Sequence, residues 1–322
     1  MALLEIQALT VDFAGKRPVR AVDHVDLAVD RRERVAIVGE SGSGKSQLLL
    51  ACTGLLAANG RAQGSVRFGG AELIGGGDPA GAVRGRGIGF VFQDASGSLT
   101  PHRRIGDQMA EAAVAAHDTS WQTAMATAER MLERVRLPDA RRRLSQYPHE
   151  LSGGMRQRVA IGAALMSQPE LLFADEPTTA LDVTVQAEIM TLLAELCRDL
   201  GMALLIVTHD MGVVASLADR IAVMYAGRIV ETADAAGFLG GPRHPYSAGL
   251  LDSVPTLADA DGAELRTIAG TPPASGMVFP GCRFEPRCPR REARCTREDP
   301  PLAAGTASAV ACHFPLRREN AT

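Results

Sequence analysis

Eight consecutive residues, from Gly39 to Ser46, have the composition of a phosphate-binding loop. They spell Gly-Glu-Ser-Gly-Ser-Gly-Lys-Ser, follow the apolar run 35–38 and precede the helical pattern 47–51. This is the strand–loop–helix setting that the pattern G-x-x-x-x-G-K-[ST] requires. Glycines let consecutive backbone N–H groups turn toward phosphate oxygens, and the helix start adds a partial positive charge. The loop therefore predicts binding of a nucleoside triphosphate.

Two side chains at the end of this loop have separate expected tasks. Lys45 would reach the β- and γ-phosphates, and the hydroxyl of Ser46 would bind Mg²⁺. The chain has only two lysines, Lys16 and Lys45, so a lysine here is not compositional background. The remaining loop contacts to the nucleotide are predicted for Gly39, Ser41, Gly42, Ser43, Gly44 and Gln47.

Three polar residues follow apolar runs that are typical of buried parallel strands. Asp175 and Glu176 end one such run, and His209 follows another. Ligands of open α/β sheets bind at the carboxyl ends of the strands, so we expect these side chains near the phosphates. Asp175 would hold Mg²⁺ directly or through water, Glu176 would act as a general base, and His209 would hydrogen-bond the γ-phosphate. Elsewhere an acidic pair is usually solvated and an isolated histidine usually structural.

A second Gly-rich stretch, Ser152-Gly153-Gly154, precedes the helical run 159–166. At a helix start, such a sequence presents backbone donors and a hydroxyl to an anion. Alone it is also an ordinary helix cap. Its interpretation therefore depends on the motifs around it.

Periodicity predicts the elements around the phosphate loop. Residues 3–13 and 19–29 alternate apolar and polar side chains, which predicts an antiparallel sheet at the N-terminus. Phe13, in the first of these runs, would either stack on adenine or pack in the core. The helix after the loop is expected to end near the turn pair Asn59-Gly60.

The region from 102 to about 150 is helical in pattern and predicts an inserted helical subdomain. Ser120 is the expected N-cap of one helix and Pro138 its stop. One apolar face of that helix comprises Trp121, Met125, Ala128, Leu132 and Val135.

Taken in order, the motifs resemble those of an ATP-binding-cassette (ABC) ATPase. The matching residues are the phosphate loop, Gln93, Leu151–Gln157, Asp175-Glu176, Ala180-Leu181-Asp182 and His209. The resemblance narrows to the ATPase subunits of oligopeptide, dipeptide and nickel importers through Tyr147–Arg158, Ala180–Gln186, His244-Pro245-Tyr246 and the Cys-rich tail from Pro280.

This resemblance implies an α/β fold, a P-loop NTPase with a RecA-like core. It also implies an N-terminal antiparallel β subdomain, an inserted helical subdomain and a Cys-rich C-terminal extension. The implied ABC ATPase domain covers 1–235, with the helical subdomain at about 96–155. The oligopeptide/dipeptide transporter-type extension covers 236–322.

The resemblance also implies a composite site. Two ATPase domains would close head to tail, with each nucleotide between Lys45 and Ser46 of one and Ser152-Gly153-Gly154 of the other. Gln157 belongs to this second contact, and Asp182 would act across the interface. Hydrolysis would then require closure.

Gln93 has two implied roles in this family. It would sense the γ-phosphate together with His209, and it would join Ser46 and Asp175 as a ligand of Mg²⁺. The segment 93–101 and the helical subdomain would transmit closure to membrane helices.

The predicted function is that of an ATP-hydrolysing subunit of an ABC importer that drives uptake of dipeptides or oligopeptides. One alternative is an importer ATPase for nickel or another small solute. A non-transport ABC ATPase is another, although such chains are expected to carry two cassettes or a long coiled-coil insertion, and this sequence has neither. The substrate does not follow from the sequence, because no residue here is expected to touch it.

Composition and resemblance together predict location and partners. The net charge of −3 gives no general attraction to nucleic acid. The sequence has no apolar run of membrane-spanning length and no signal-peptide pattern at its start. We expect a peripheral protein on the cytoplasmic face of the membrane, with a second, related but non-identical ATPase subunit and two transmembrane permease subunits. An extracytoplasmic binding protein would act indirectly.

The six cysteines divide unequally. Cys52 and Cys197 lie singly in apolar helical stretches and are expected in the core. The other four, which fall within the last 41 residues, are Cys282, Cys288, Cys295 and Cys312. In a reducing compartment this cluster suggests a metal rather than disulfides.

Three states of these four thiols are possible from the sequence. Zinc is one, but the spacings are wider than the usual pairs of zinc sites. Pro289 follows Cys288, as proline often follows a cluster cysteine, and the family's tail is associated with a 4Fe–4S cluster. The cluster is the favoured prediction; zinc and unmetallated thiols are the alternatives. Because the tail has few large apolar residues, a metal would supply folding free energy.

Overall fold

The computed structural model describes residues 2–179, 181–253, 267–274, 276–302 and 308–317. The chain is divided into two compact units. The first comprises 29–33 and 77–206, and the second comprises 2–28, 34–76 and the residues from 207 onward. Among the described residues, no helix combines the length and the apolar character needed to cross a bilayer.

Within the described residues, strands predominate up to residue 91, helices from 95 to 165, and strands and helices alternate from 171 to 225. The strands are β1 (Leu4–Phe13), β2 (Val19–Val29), β3 (Arg34–Val38), β4 (Gly60–Phe68), β5 (Ala71–Glu72), β6 (Ile88–Val91), β7 (Leu171–Asp175), β8 (Ala203–Thr208), β9 (Arg220–Tyr225), β10 (Arg228–Asp234) and β11 (Ser308–Val310). The α-helices are α1 (Lys45–Cys52), α2 (Ala95–Ser98), α3 (Ile105–His117), α4 (Trp121–Arg134), α5 (Ala140–Leu144), α6 (Gly153–Leu165), α7 (Val183–Leu200), α8 (Met211–Leu217), α9 (Ala235–Leu239) and α10 (Pro245–Asp252). Short 3-10 helices lie at Pro79–Ala82, Pro148–Glu150 and Glu285–Arg287.

The predicted N-terminal antiparallel sheet is present in the second unit, with strand order β2-β1-β4-β5. In the β1–β4 pair, Leu4 lies opposite Phe68 and Phe13 opposite Gly60. One face is buried: Leu4, Leu9 and Val11 have no exposed area. The alternation of apolar and polar residues therefore indicated this sheet correctly.

The helix after the phosphate loop ends earlier than expected. It stops at Cys52 rather than near Asn59-Gly60. Gly54 has a φ of 65°, and the N–H of Leu55 donates to the carbonyl of Leu50 at 2.8 Å. A left-handed glycine with a bond of this kind is a common helix end. The Asn59-Gly60 turn instead leads into β4.

A second sheet in the second unit includes part of the C-terminal extension. β3 is parallel to β9, with Val35 opposite Arg220. β10 is antiparallel to β9 and pairs on its other edge with β11, with Glu231 opposite Val310. The extension therefore contributes one strand, β11, to this sheet. The sequence did not predict β11, because three residues are too few to show periodicity.

The first unit contains the parallel pair β6–β7, in which Ile88 lies opposite Leu171, and a group of packed helices. The predicted N-cap is confirmed, because the hydroxyl of Ser120 accepts the N–H of Thr123 at 3.2 Å. The predicted apolar face of α4 is buried at Ala128, Leu132 and Val135.

Trp121 does not belong to that buried face, because it is 47% exposed. It is the first residue of α4. Helical side chains lean toward the helix N-terminus, so a first-turn residue points past the packed turns. The prediction for Trp121 was wrong for this reason.

Candidate nucleotide-binding site

The phosphate loop joins β3 to α1 and is packed too closely for a side chain at two of its glycines. A Cβ on Gly39 would lie 2.2 Å from the carbonyl oxygen of Met224, and one on Gly44 would lie 2.2 Å from that of Ala21. Gly44 also has a φ of 105°, which disfavours residues with a Cβ. Because no side chain projects from these two positions, the loop backbone can curve closely around phosphate oxygens.

Lys45 begins α1 and is almost completely buried. Its Nζ donates to the carbonyl oxygens of Gly39 and Glu40, both at 2.9 Å, and to Ser43 Oγ at 3.3 Å. The ammonium group is thus held across the loop by main-chain oxygens. An ammonium group beside turned backbone N–H groups fits the chemistry of a triphosphate.

Of the other predicted loop residues, Ser43 is buried, with 5% exposure, and the rest are at least partly exposed. Ser41 and Gly42 are exposed, whereas Ser46 and Gln47 are half-buried in the first turn of α1. In the same unit, His209 is exposed directly after β8.

Phe13 ends β1 and is half-buried. A Cβ on Gly60, the residue opposite it in β4, would lie 2.8 Å from its ring. The ring therefore packs against β4, and stacking on adenine stays a prediction.

In the first unit, the predicted base lies beside the predicted γ-phosphate sensor. Gln93 Nε2 donates to Glu176 Oε2 at 3.3 Å, and Thr179 Oγ1 donates to the same oxygen at 3.0 Å. Two donors thus orient the carboxylate. Asp175, the last residue of β7, is buried with 6% exposure. Sequence reasoning missed Thr179, although its spacing of three residues from Glu176 is a usual one for a turn contact.

The backbone of Glu176 has a φ of 44°. This left-handed conformation costs a residue with a Cβ about 1–2 kcal/mol. Non-glycine residues in such conformations cluster at functional sites, where the surrounding structure holds them. The turn after β7 therefore supports a functional role for this carboxylate.

The Ser-Gly-Gly stretch begins α6, as expected. Ser152 Oγ accepts the N–H of Met155 at 3.3 Å, so this residue is the N-cap. A Cβ on Gly154 would lie 2.8 Å from Val185 in α7, which explains the glycine by packing. Gln157 is buried, and its Nε2 has no hydrogen-bond partner among the described residues. An unpaired buried amide is costly, which favours a functional reason for it.

Asp182 is the N-cap of α7, because its Oδ1 accepts the N–H of Val185 at 3.0 Å. The adjacent Val183 is 81% exposed. Ala180, from the same predicted motif, lies outside the described residues. An exposed valine beside the cap suits an interface, and the role of Asp182 across that interface stays a prediction.

The four clustered cysteines line one small cavity, together with His244 and Phe284 among others. Burial raises the pKa of the Cys282 thiol to about 11 and also raises the pKa values of Cys288 and Cys312. Four thiols are a donor set that suits zinc or iron–sulfur chemistry. However, no group of three or more metal-ligating side chains is placed to hold a metal ion within the described ranges. Both metal readings therefore remain predictions. Cys52 and Cys197 are buried in the core, as expected.

Comparisons with known proteins decide the family. A family model described as "ABC transporter" matches residues 22–179, and one described as "Oligopeptide/dipeptide transporter, C-terminal region" matches residues 230–295. The oligopeptide transport ATP-binding protein OppD of Salmonella typhimurium is 46% identical over 316 residues, covering 98% of this chain and 94% of that protein. The chain belongs to the ABC transporter family of ATP-binding subunits. The OppD protein of Escherichia coli is likewise 46% identical over 318 residues, with 98% and 94% coverage.

Solved ABC cassettes agree with this assignment. The dimeric ATP-binding cassette MJ0796, in a post-hydrolysis state bound to ADP and phosphate, is 28% identical with a TM-score of 0.64. The match covers 72% of this chain and 98% of that chain. The predicted P-loop NTPase fold is thus confirmed. As a member of this ABC family, the chain is the ATP-hydrolysing subunit of an importer, and ATP and Mg²⁺ belong to its reaction.

Proposed function

We propose that this ABC ATPase drives the import of dipeptides or oligopeptides across the cytoplasmic membrane. The observation that carries the proposal is the 46% identity to an oligopeptide transport ATP-binding protein along 98% of the chain. The match to the oligopeptide/dipeptide transporter C-terminal region supports the same branch.

In the proposed site, the loop backbone and Lys45 hold the phosphates of ATP. Ser46, Asp175 and Gln93 would hold Mg²⁺, because hydroxyl, carboxylate and amide oxygens are ligands that this ion prefers. When bound, the ion neutralises negative charge on the phosphates. Lys45 and Asp175 are both buried, with 4% and 6% exposure, so the surrounding atoms restrict the conformations that each side chain can adopt.

Glu176 would take the proton of the attacking water. Hydrogen bonds from Gln93 and Thr179 orient its carboxylate, and general-base catalysis depends on such positioning. His209 would hydrogen-bond the γ-phosphate. Reorientation of Gln93 when the γ-phosphate leaves would change one of the two bonds to Glu176.

A second ATPase subunit would complete each nucleotide site. Ser152, Gly153, Gly154 and Gln157 of one subunit would face ATP held by the other, with Asp182 at the same interface. A solved relative is dimeric, and the exposure of Val183 supports an interface at the start of α7. We propose that this partner is a related, non-identical subunit.

The proposed assembly includes two transmembrane permease subunits, with an extracytoplasmic binding protein acting indirectly and no nucleic acid. The chain would lie peripherally on the cytoplasmic face of the membrane. Its ATPase domain would cover 1–235, with a helical insertion at about 96–155, and its extension would cover 236–322.

We also propose that the four cysteines hold a 4Fe–4S cluster. Their shared cavity supports this. Anaerobically purified protein should be brown with a shoulder in the visible absorbance spectrum. Colourless protein with stoichiometric zinc would replace the cluster with zinc, and colourless protein without metal would leave four thiols.

Uptake by the reconstituted transporter tests the proposed substrate. Proteoliposomes that contain both ATPase subunits, both permeases and the binding protein should accumulate labelled oligopeptide when ATP is supplied. Accumulation of Ni²⁺ without peptide would reassign the importer to nickel. ATP hydrolysis without copurifying membrane subunits would instead favour a non-transport role.

Glu176→Gln in this assembly tests the assigned base. The amide cannot accept the proton, so ATP turnover should fall at least about 100-fold, while binding of ATP persists. Glu188→Gln is the control, because Glu188 is an exposed carboxylate in α7 that pairs with Arg158. Unchanged turnover in Glu176→Gln would remove Glu176 from the mechanism.

A further inference from the structure

The second residue of the phosphate loop is bound by a side chain that lies 247 positions later in the chain. Arg287 Nη1 donates to Glu40 Oε2 at 2.7 Å, and Arg287 Nη2 donates to Glu40 Oε1 at 3.0 Å. The guanidinium side chain is 5% exposed and the carboxylate side chain 25%. A bidentate pair of this kind fixes geometry as well as charge.

Arg287 is itself held in place by the second unit. Its Nε donates to the carbonyl oxygen of Ala269 at 2.9 Å, and its guanidinium lies over the ring of Tyr225 at 5.9 Å. It is the last residue of the 3-10 helix Glu285–Arg287. Cys282 and Cys288 flank that helix, so Arg287 is anchored within the cysteine cluster of the extension.

A second contact fixes the backbone of the same loop residue. The N–H of Glu40 donates to the hydroxyl of Tyr246 at 2.8 Å. Tyr246 is fully buried, and its ring lies 4.5 Å from that of Tyr225 and 5.4 Å from that of Phe284. It belongs to the motif His244-Pro245-Tyr246, to which sequence reasoning assigned no task.

The carbonyl of Glu40 accepts a hydrogen bond from Lys45 Nζ at 2.9 Å. The extension thus holds both the carboxylate and the N–H of the residue that positions the lysine of the phosphate loop. A displacement of this residue would move an acceptor of Lys45. It would also leave an unpaired carboxylate beside the phosphate loop, where negative charge opposes a triphosphate.

We propose that Arg287 and Tyr246 of the C-terminal extension are positioning residues that set the ATP affinity of the phosphate loop through Glu40. The inference rests on the proposed role of this loop in binding ATP. Neither residue touches the reacting atoms. Their loss should therefore raise Kd and KM for ATP, with little change in kcat at saturating ATP.

The test is equilibrium titration of the purified full chain with Mg²⁺ and a fluorescent N-methylanthraniloyl ATP. Arg287→Met should raise Kd about tenfold, and Tyr246→Phe, which removes only the hydroxyl, about threefold. Arg287→Lys keeps the charge without the bidentate geometry and should fall between wild type and Arg287→Met. The control is Arg294→Met, because Arg294 forms an exposed pair with Glu298 in the same extension; its Kd should stay within about twofold of wild type.

A double-variant cycle separates this role from a general loosening of the extension. In a Glu40→Ala background, Arg287→Met should change Kd by less than about twofold, because its partner is already absent. An equal loss of affinity with and without Glu40 would overturn the proposal, as would wild-type Kd in both Arg287→Met and Tyr246→Phe. If Arg287→Met does not fold, as judged by thermal unfolding, Tyr246→Phe and Arg287→Lys decide the question. Failure of the wild-type chain to bind the probe would instead refute the proposed function of the loop.

Discussion

Gly42 and Gly44 lie two residues apart in the phosphate loop, and both have positive φ, yet their surroundings differ. A Cβ on Gly42 would meet nothing within 4 Å, whereas one on Gly44 would lie 2.2 Å from the carbonyl oxygen of Ala21. The two positions share a conformational requirement and differ in available space. At this scale, the sequence indicated that glycines were needed but not which of them is sterically enclosed.

Gly44→Ala and Gly42→Ala form a matched pair that separates these two effects. Gly42→Ala should lower the free energy of unfolding by about 1 kcal/mol, the cost of a left-handed alanine. Gly44→Ala should lower it by at least about 1 kcal/mol more, because the backbone oxygen must move. Urea unfolding of both variants measures the difference. Equal losses would show that the loop opens around the added methyl group at no cost.

At the scale of elements, α7 shows how one residue can have a structural and a functional explanation together. Asp182 caps the helix, and the adjacent Val183 is exposed. The family resemblance assigned Asp182 to the subunit interface and did not mention the cap. A cap is predictable from an acidic residue before a helical run. A contact of the same residue with another subunit is not visible in the structure of one chain.

Asp182→Ala and Asp182→Asn distinguish the cap from the interface. Alanine removes the cap and should lower the free energy of unfolding by about 1 kcal/mol, whereas asparagine caps as well as aspartate and should leave it within about 0.5 kcal/mol. Thermal unfolding measures this. ATP turnover of the assembled transporter should fall in Asp182→Asn if the charge acts across the interface. Wild-type turnover in that variant would leave capping as the only role of Asp182.

At the scale of the whole molecule, the cysteine-rich extension packs against the rest of the second unit and shares its core. Sequence reasoning expected little core there, but Phe284 and Tyr246 are buried against Tyr225. β11 adds a strand to β10. The aromatic residues are few and far apart in sequence, so their convergence could not be read from local patterns.

Asp23 lies at the centre of a group of ion pairs in the second unit. Its carboxylate is 6% exposed and pairs with Arg228, Arg283 and Arg20, while accepting a hydrogen bond from His24. Burial acts to raise the pKa of Asp23, but the bond from His24 and the charges of Arg283 and Arg228 outweigh it and lower that pKa to about 2. The ionised carboxylate therefore stabilises the folded state.

The stabilisation by Asp23 should depend on pH with a definite sign. Since the folded pKa lies below the unfolded value, the contribution is complete above about pH 5 and is lost as the pH falls toward 2. Asp23→Asn should cost about 3 kcal/mol at pH 7, because the partly buried Arg228 and Arg283 lose the buried carboxylate that pairs with them. That difference should shrink by about 1 kcal/mol between pH 5 and pH 3. Urea unfolding across this range measures it, with the exposed Asp199→Asn as control. A pH-independent difference would contradict the lowered pKa.

The sequence alone determined the local features of this protein, which depend on residues adjacent in the chain. The phosphate loop, the cap at Ser152 and the acidic pair after β7 are contiguous motifs, and backbone conformation over a few residues is enough to define them. The tertiary structure alone decided which distant groups meet. The hydrogen bonds between Glu40 and the side chains of Arg287 and Tyr246 join residues more than 200 positions apart. They form only in the folded chain, because the other contacts of the fold offset the conformational entropy that is lost when such long loops close.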